Sequence, residues 1–298
     1  MNIFPGHMAK AKRVLKENLK NVDLVIEVLD ARIPYSSHNK ELKDIIKETE
    51  KIVVLNKKDL AEQKYTDQWK NIIREKTPCV KINSVKKSGV DKLKKQMEEK
   101  QVKINQKRVE KGINKRPIRA IIIGIPNVGK SALINALGGK SSAKTGNTPG
   151  ITRGKQWIKV SENIELLDMP GILYPKAEDE DIAYKLVLTG AIDLKKVDTE
   201  NAAYKLLKYL KQLNRIDAVI EYYGIEVFEN EHPYDILPKI GRKRGCLMTG
   251  GKVDRNRAAT LLVNDYRDGE LGKISLEKPG SANYEFWWND YQRNQKIC

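Results

Sequence analysis

Eight consecutive residues, Gly124-Ile-Pro-Asn-Val-Gly129-Lys130-Ser131, constrain this chain more than anything else in it. They fit the spacing GxxxxGK[ST] and stand where that pattern has physical meaning. Before them runs Arg119-Ala-Ile-Ile-Ile-Gly124, which reads as a buried strand. After them runs Lys130-Ser-Ala-Leu-Ile-Asn-Ala-Leu-Gly138, which reads as a helix. Glycines let the backbone curl so that its N–H groups face an anion, and the helix N-terminus adds positive potential. Lys130 is then placed to reach β- and γ-phosphates, and the Ser131 hydroxyl to ligate Mg²⁺. Such a strand–loop–helix belongs in an α/β sheet, and the neighbouring sequence supplies the other strands. Residues 22–30, 51–56, 79–82, 156–160 and 164–168 are short strand-like runs, rich in Val and Ile. Helical segments near 8–20, 38–48, 62–76 and 89–100 lie among them. Residues 101–117 carry many charges and no apolar period, and read as a linker. Beyond residue 175 helical periods dominate, at 181–192, at 199–213 with Thr199 as an N-cap, and at 255–269 with Gly269 as a stop. The expectation is an α/β domain over 1–174 followed by a smaller, mainly helical domain over 175–298.

Four further motifs fit the same site. Asn56-Lys57-Lys58-Asp59 follows the strand ending at 56 and matches NKxD, the guanine reader of GTPases. Its Asp59 carboxylate can accept two N–H groups from guanine. Adenine offers a different donor pattern and would leave those bonds unmade. Asn56 would steady the loop, and Lys57 would cover the face of the base. Asp168-Met-Pro-Gly171 closes the strand 164–168 and fits DxxG, in which Asp168 holds Mg²⁺ through water and the Gly171 N–H senses the γ-phosphate. In Thr148-Pro-Gly-Ile-Thr152-Arg, Thr152 is the candidate for closing over Mg²⁺ and γ-phosphate, with Thr148 as the alternative. Asn83-Ser84-Val85 stands where a second base-contacting loop is needed, although the match is loose. Val128 and Asn127 complete the phosphate loop.

The order of these motifs is unusual. In an ordinary Ras-like GTPase the phosphate loop comes first and NKxD follows. Here NKKD and Asn83-Ser84 precede residues 124–131, Thr152 and DMPG. Cutting a Ras-like domain after DxxG and joining its old ends gives this order, and residues 101–117 are where the joint falls. The reading is therefore a circularly permuted Ras-like P-loop GTPase domain whose chain runs from its second switch straight into the helical domain.

Charge indicates the partner. The net charge is +17, and the excess is one-sided: Lys and Arg outnumber Asp and Glu 36 to 19 over residues 1–172 and equal them at 20 each beyond. Such an excess favours a polyanion, whereas a solvated Lys-rich surface is the plainer reading. Lys239, Arg242, Lys243, Arg244, Lys252, Arg255 and Arg257 crowd into nineteen residues with one acid, Asp254, and with interleaved glycines. They form a candidate RNA surface, as does the basic helix at 8–20. Trp287, Trp288 and Tyr291 could stack on bases or pack onto the helical domain. Cys79, Cys246 and Cys298 are too few and too scattered for a disulfide framework or zinc site. No apolar stretch is long enough for a membrane span and no signal-peptide core opens the chain, so the cytoplasm is expected.

Taken in this order, the motifs resemble the circularly permuted GTPases, and specifically the bacterial ribosome biogenesis GTPase A family. Phe4-Pro-Gly-His7-Met-Ala-Lys-Ala-Lys-Arg13, Leu29-Asp-Ala-Arg-Ile-Pro34, NTPGITR, TGAI and GRKRG carry the resemblance over essentially the whole chain. It implies a GTP hydrolase in late maturation of the large (50S) ribosomal subunit. Its partners would be 23S rRNA and ribosomal proteins, its hydrolysis would be stimulated by the particle, and it would act as a monomer. It also implies that the usual catalytic Gln after DxxG is missing. Ile172 stands there, and an aliphatic side chain cannot orient water. The resemblance assigns that role to His7, for which a surface or capping position is the other reading. It further implies K⁺ beside the phosphates, ligated by Asn127. A signalling GTPase with a protein partner, and a nucleotide-gated RNA-binding scaffold with negligible turnover, remain the rival readings.

Overall fold

The computed structural model describes residues 13–46, 49–138, 156–168 and 179–280. His7, Thr148, Thr152, Gly171, Ile172, Trp287, Trp288, Tyr291 and Cys298 lie outside the described residues, as does the side chain of Asp168.

Among the described residues six strands form one sheet: β1 (Leu24–Asp30), β2 (Glu50–Asn56), β3 (Cys79–Lys81), β4 (Ile118–Ile123), β5 (Gln156–Ser161) and β6 (Ile164–Asp168). Their spatial order is β3-β2-β1-β4-β6-β5, and only β5 runs antiparallel to its neighbour. All seven β1 residues are buried, as a strand covered on both faces requires. Alternate side chains serve opposite cores: Leu24, Ile26 and Val28 enter one, while Val25 and Leu29 enter others.

The helices are α1 (13–19), α2 (Pro34–Ser37), α3 (Lys43–Ile46), α4 (Gln63–Arg74), α5 (Val90–Glu110), α6 (Lys130–Gly138), α7 (Glu180–Leu188), α8 (Thr199–Gln212), α9 (Asp217–Tyr223), α10 (Pro233–Lys243) and α11 (Arg255–Asp268). Leu15 of α1 and Ile46 of α3 cover one sheet face near β1 and β4, and Trp69 and Ile73 of α4 cover it near β2. Leu93 and Met97 of α5 and Leu133 of α6 join the core on the other face. That core continues into Leu206, Leu207, Leu262 and Val263 of the helices beyond residue 175.

Three expectations change. The helix expected near 38–48 is two short helices with a 3₁₀ turn, Lys40–Leu42, between them. Buried polar groups such as His38 and Asn39 tie this stretch down outside a regular ladder. The helix expected to stop at 100 continues through Glu110, taking up more than half of the stretch read as a linker. Asn105 explains where the chain turns. Its Nδ2 donates to Arg116 O at 3.0 Å and its Oδ1 accepts from Arg116 N at 3.2 Å, folding residues 111–117 back towards β4. Finally, α8 is capped by Asp198, whose carboxylate accepts from Asn201 N at 3.0 Å, and Thr199 is its first helical residue. Gly269 ends α11 with φ +86°, as the sequence indicates.

Candidate functional site: a nucleotide cleft

The carboxyl ends of β1, β2, β4 and β6 share one edge of the sheet. The chain winds from β1 to β2 and β3 on one side, while β4 and β6 lie on the other. The crevice at β1/β4 is therefore the topological switch point at which parallel α/β sheets bind ligands.

The phosphate loop leaves β4 there and enters α6. Two of its glycines are sterically required. A Cβ on Gly124 (φ +153°) would lie 2.5 Å from Val28 O, and one on Gly129 (φ +97°) would lie 2.2 Å from Asn56 Nδ2. Asn127 turns the loop with φ +56°, a region that asparagine tolerates better than most residues. Lys130, half-buried, donates to Gly124 O at 2.8 Å and Ile125 O at 2.6 Å. Burial lowers its pKa to about 8. Ser131 is exposed at the start of α6, and Val128 is buried beneath the loop.

Asn56, at the end of β2, ties three segments together. Its Nδ2 donates to Val128 O at 2.8 Å, and its Oδ1 accepts from Ser84 N at 3.1 Å and Ser84 Oγ at 2.8 Å. The buried Asn83 accepts from Lys86 N at 2.8 Å and so shapes the loop that follows β3. Lys57 (φ +58°) sends its Nζ to within 3.2 Å of Asp30 Oδ2, at the end of β1. Asp30 in turn receives Arg32 through Nε at 3.0 Å and Nη2 at 2.9 Å. Burial alone would raise the Asp30 pKa, but Arg32 and Lys57 outweigh it and hold the carboxyl well below the usual carboxylate range.

Together these residues enclose a cleft of about 330 Å³, lined by Asn56, Lys57, Asp59, Asn83, Ser84 and Gly129 among others. That size suits a small-molecule site. The three loops around it, after β2, β3 and β4, are separated by α4 and β3 and then by α5 and β4 in sequence, yet they meet in space. Asp168 ends β6, whose Leu167 pairs with Ile121 of β4, so its backbone stands beside the root of the phosphate loop. The positions of His7, Thr152 and Gly171 relative to the cleft lie outside the described residues. Asn127, read as a K⁺ ligand, uses its Nδ2 to donate to Gly190 O at 2.7 Å.

The structure also adds residues to the cleft that the sequence did not single out. Arg267 and Asp268, from the end of α11, line it. The only local signal was a cation in the last turn of a helix, which reads as ordinary capping. Glu277 was missed as well. It is fully buried and accepts from Tyr35 N at 2.8 Å and from the N and Oγ of Ser36, while its own backbone O accepts from Trp69 Nε1 at 3.2 Å. The chain after α11 thus returns to the sheet-bearing part, with Ile274 N donating to Leu60 O and Leu276 N to Arg32 O, both at 3.0 Å.

Residues 119–226 match the family described as 50S ribosome-binding GTPase. Ribosome biogenesis GTPase A of Bacillus licheniformis is 42% identical over 277 residues, covering 93% of this chain and 97% of that protein. Ribosome biogenesis GTPase A of Thermotoga maritima is 33% identical, covering 94% and 95%. Among solved structures, GDP-bound YlqF superposes with a TM-score of 0.67 at 26% identity, over 90% of this chain and 100% of that one. GNP-bound YlqF from T. maritima gives 0.64 at 27%, over 91% and 99%. Motif order, sheet order and near end-to-end similarity agree: the chain belongs to the ribosome biogenesis GTPase A family and is a GTPase built on a circularly permuted P-loop fold.

Proposed function

We propose that this GTPase acts in assembly of the large ribosomal subunit, gripping the immature particle through rRNA in its GTP form and releasing it after hydrolysis. The observation that carries the guanine part is the single cleft holding Asp59, Lys57 and the Asn56–Ser84 tie beside the phosphate loop. A site built around Asp59 favours guanine, because adenine would leave its carboxylate without the paired donors. The phosphate loop fits a nucleotide, since Gly124 and Gly129 let its backbone curl against Val28 and Asn56 in positive-φ conformations that turn N–H groups towards an anion. Lys130 would leave the loop carbonyls for the β- and γ-phosphates, which would restore its full charge. Ser131, Thr152 and, through water, Asp168 would hold a Mg²⁺ that neutralises charge on those phosphates. Asn127 would offer its Oδ1 to K⁺ while its Nδ2 is held by Gly190. With Ile172 in place of a catalytic Gln, His7 orients the attacking water.

The RNA part is carried by charge. Of the seven cations at 239–257, Lys239 is paired with Glu231 and Arg255 with Glu200. Arg242, Lys243, Arg244, Lys252 and Arg257 are exposed. Gly245, Gly250 and Gly251 adopt positive φ with open space where a Cβ would sit, so the backbone there can approach phosphates closely. Among the described residues no helix is long and apolar enough to cross a membrane. The working state is a cytoplasmic monomer.

The test is steady-state GTP and ATP hydrolysis with and without purified large subunits, for wild type and His7→Ala. We expect stimulation by subunits for GTP alone, lost in the variant with nucleotide binding intact. Stimulation that survives His7→Ala removes His7 from the mechanism, and no stimulation at all removes the particle, leaving a protein partner or a scaffold role.

A further inference from the structure

We propose that Arg267 and Asp268 are nucleotide-site residues contributed by the helical part, and that filling the base cleft fixes the turn after α7 through Arg267. The proposal rests on the reading of this cleft as the guanine site. Arg267 and Asp268 line it together with Asn56 and Asp59. The end of α11 is seated tightly on the base loops. Arg267 O accepts from Arg32 Nη1 at 3.3 Å, and a Cβ on Gly269 would lie 2.6 Å from Cδ2 of Leu60, the residue after NKKD, so the end of α11 packs closely against this loop.

The Arg267 side chain reaches the other way. Its Nη2 donates to Val187 O at 2.5 Å and its Nε to Leu188 O at 3.4 Å, the terminal carbonyls of α7. A guanidinium is favoured there because it satisfies carbonyls that have no partner within the helix. Two residues on, Gly190 O takes the amide of Asn127 in the phosphate loop. Contacts therefore run from the base wall, through Arg267 and the turn 187–190, back to the phosphate loop, entirely by way of the helical part. This is a second connection between the two ends of the nucleotide, parallel to the internal one through Asn56 and Val128. α7 is also the first described helix after DMPG.

Linkage makes the effect reciprocal: a base that stabilises the α11 wall stabilises the docked turn, and a loosened wall weakens base binding. Because the wall faces the base, GDP and GTP should lose affinity equally in Arg267→Ala, by about 5- to 150-fold, the common range for such coupling. The decisive measurement is hydrogen exchange on the full chain with and without saturating GDP. In wild type, GDP should slow exchange at 56–59, 83–86 and 187–192. In Arg267→Ala the protection at 187–192 should disappear while that at 56–59 persists, and Arg267→Lys should restore only part of it. Protection at 56–59 and 83–86 with none at 187–192 in wild type overturns this proposal alone. No GDP-dependent protection at 56–59 and 83–86 overturns the guanine reading and the proposal together. The wild-type comparison decides the matter even if a variant fails to fold.

Discussion

Lys130 lies half-buried against two carbonyls of its own loop, and the lost hydration holds its pKa near 8. Phosphates reverse that penalty, since a nearby anion favours the charged form. The free site is mostly neutral above that pKa and the bound site is charged, so the sign is proton uptake on binding. GTP binding should therefore take up a fraction of a proton at a pH of about 8.5 and almost none near about pH 6.5, where Lys130 is already protonated. Titration calorimetry in two buffers of different ionisation enthalpy reads this directly. Heats independent of buffer at the higher pH would contradict the assignment of Lys130 to the phosphates. Asn56 behaves differently from its expected role only in extent. It steadies the loop as its motif suggests, but it also bonds to Val128 and Ser84, so one amide locks both nucleotide loops. The spacing of residues 56–59 carries the first fact and cannot carry the second, because 128 and 84 are brought to it by the sheet.

At the level of elements, β1 contains a charge where its pattern calls for an apolar residue. Glu27 is buried between His38 Nδ1 and Lys51 Nζ, the latter at 3.0 Å on the neighbouring β2. Burial would raise its pKa, but His38 and Lys51, with the hydrogen bonds they make, outweigh it and hold the carboxyl far below the usual range. A carboxyl depressed on folding contributes stability that is full above its unfolded pKa of about 4.3 and is lost as pH falls below it. Glu27→Gln should therefore cost about 3–5 kcal/mol at neutral pH, because it breaks the buried Glu27–Lys51 ion pair by removing one of its charges. The deficit should shrink as the pH is lowered. Urea unfolding of both proteins across the acid range measures it, and a pH-independent deficit would show that packing, not charge, is responsible. Strands and long helices were legible because their periods are imposed by burial of one or two faces. The extension of α5 to Glu110 was not, since a helix held by the Asn105 tie needs no apolar stripe there.

Over the whole molecule, charge and topology do separate work. The net charge of +17 sits with the sheet-bearing part, yet five exposed cations, Arg242, Lys243, Arg244, Lys252 and Arg257, run from the end of α10 to the start of α11, in a part where Lys and Arg merely balance Asp and Glu overall. Each exposed cation that neutralises an RNA phosphate adds about 0.7–0.9 to the steepness with which binding falls with salt. Replacing Arg242, Lys243 and Arg244 by Gln should therefore flatten the slope of log affinity against log salt for large subunits by about 2–3. Filter binding over a salt series checks this. An unchanged slope would move the RNA surface elsewhere, with the basic N-terminal helix as the next candidate.

Local spacing and backbone conformation were enough to find the phosphate loop, the NKKD motif, the strands that carry them and the permuted order. Only the tertiary structure decided that Arg267 and Asp268 belong to the nucleotide cleft, that Glu277 is buried on Tyr35 and Ser36, and that Asn127 is held by Gly190. Those contacts join residues 63 to 242 positions apart. No periodicity or motif encodes such a pairing; it exists because two packed surfaces bring unpaired carbonyls, N–H groups and charges face to face, and burial requires each to find a partner.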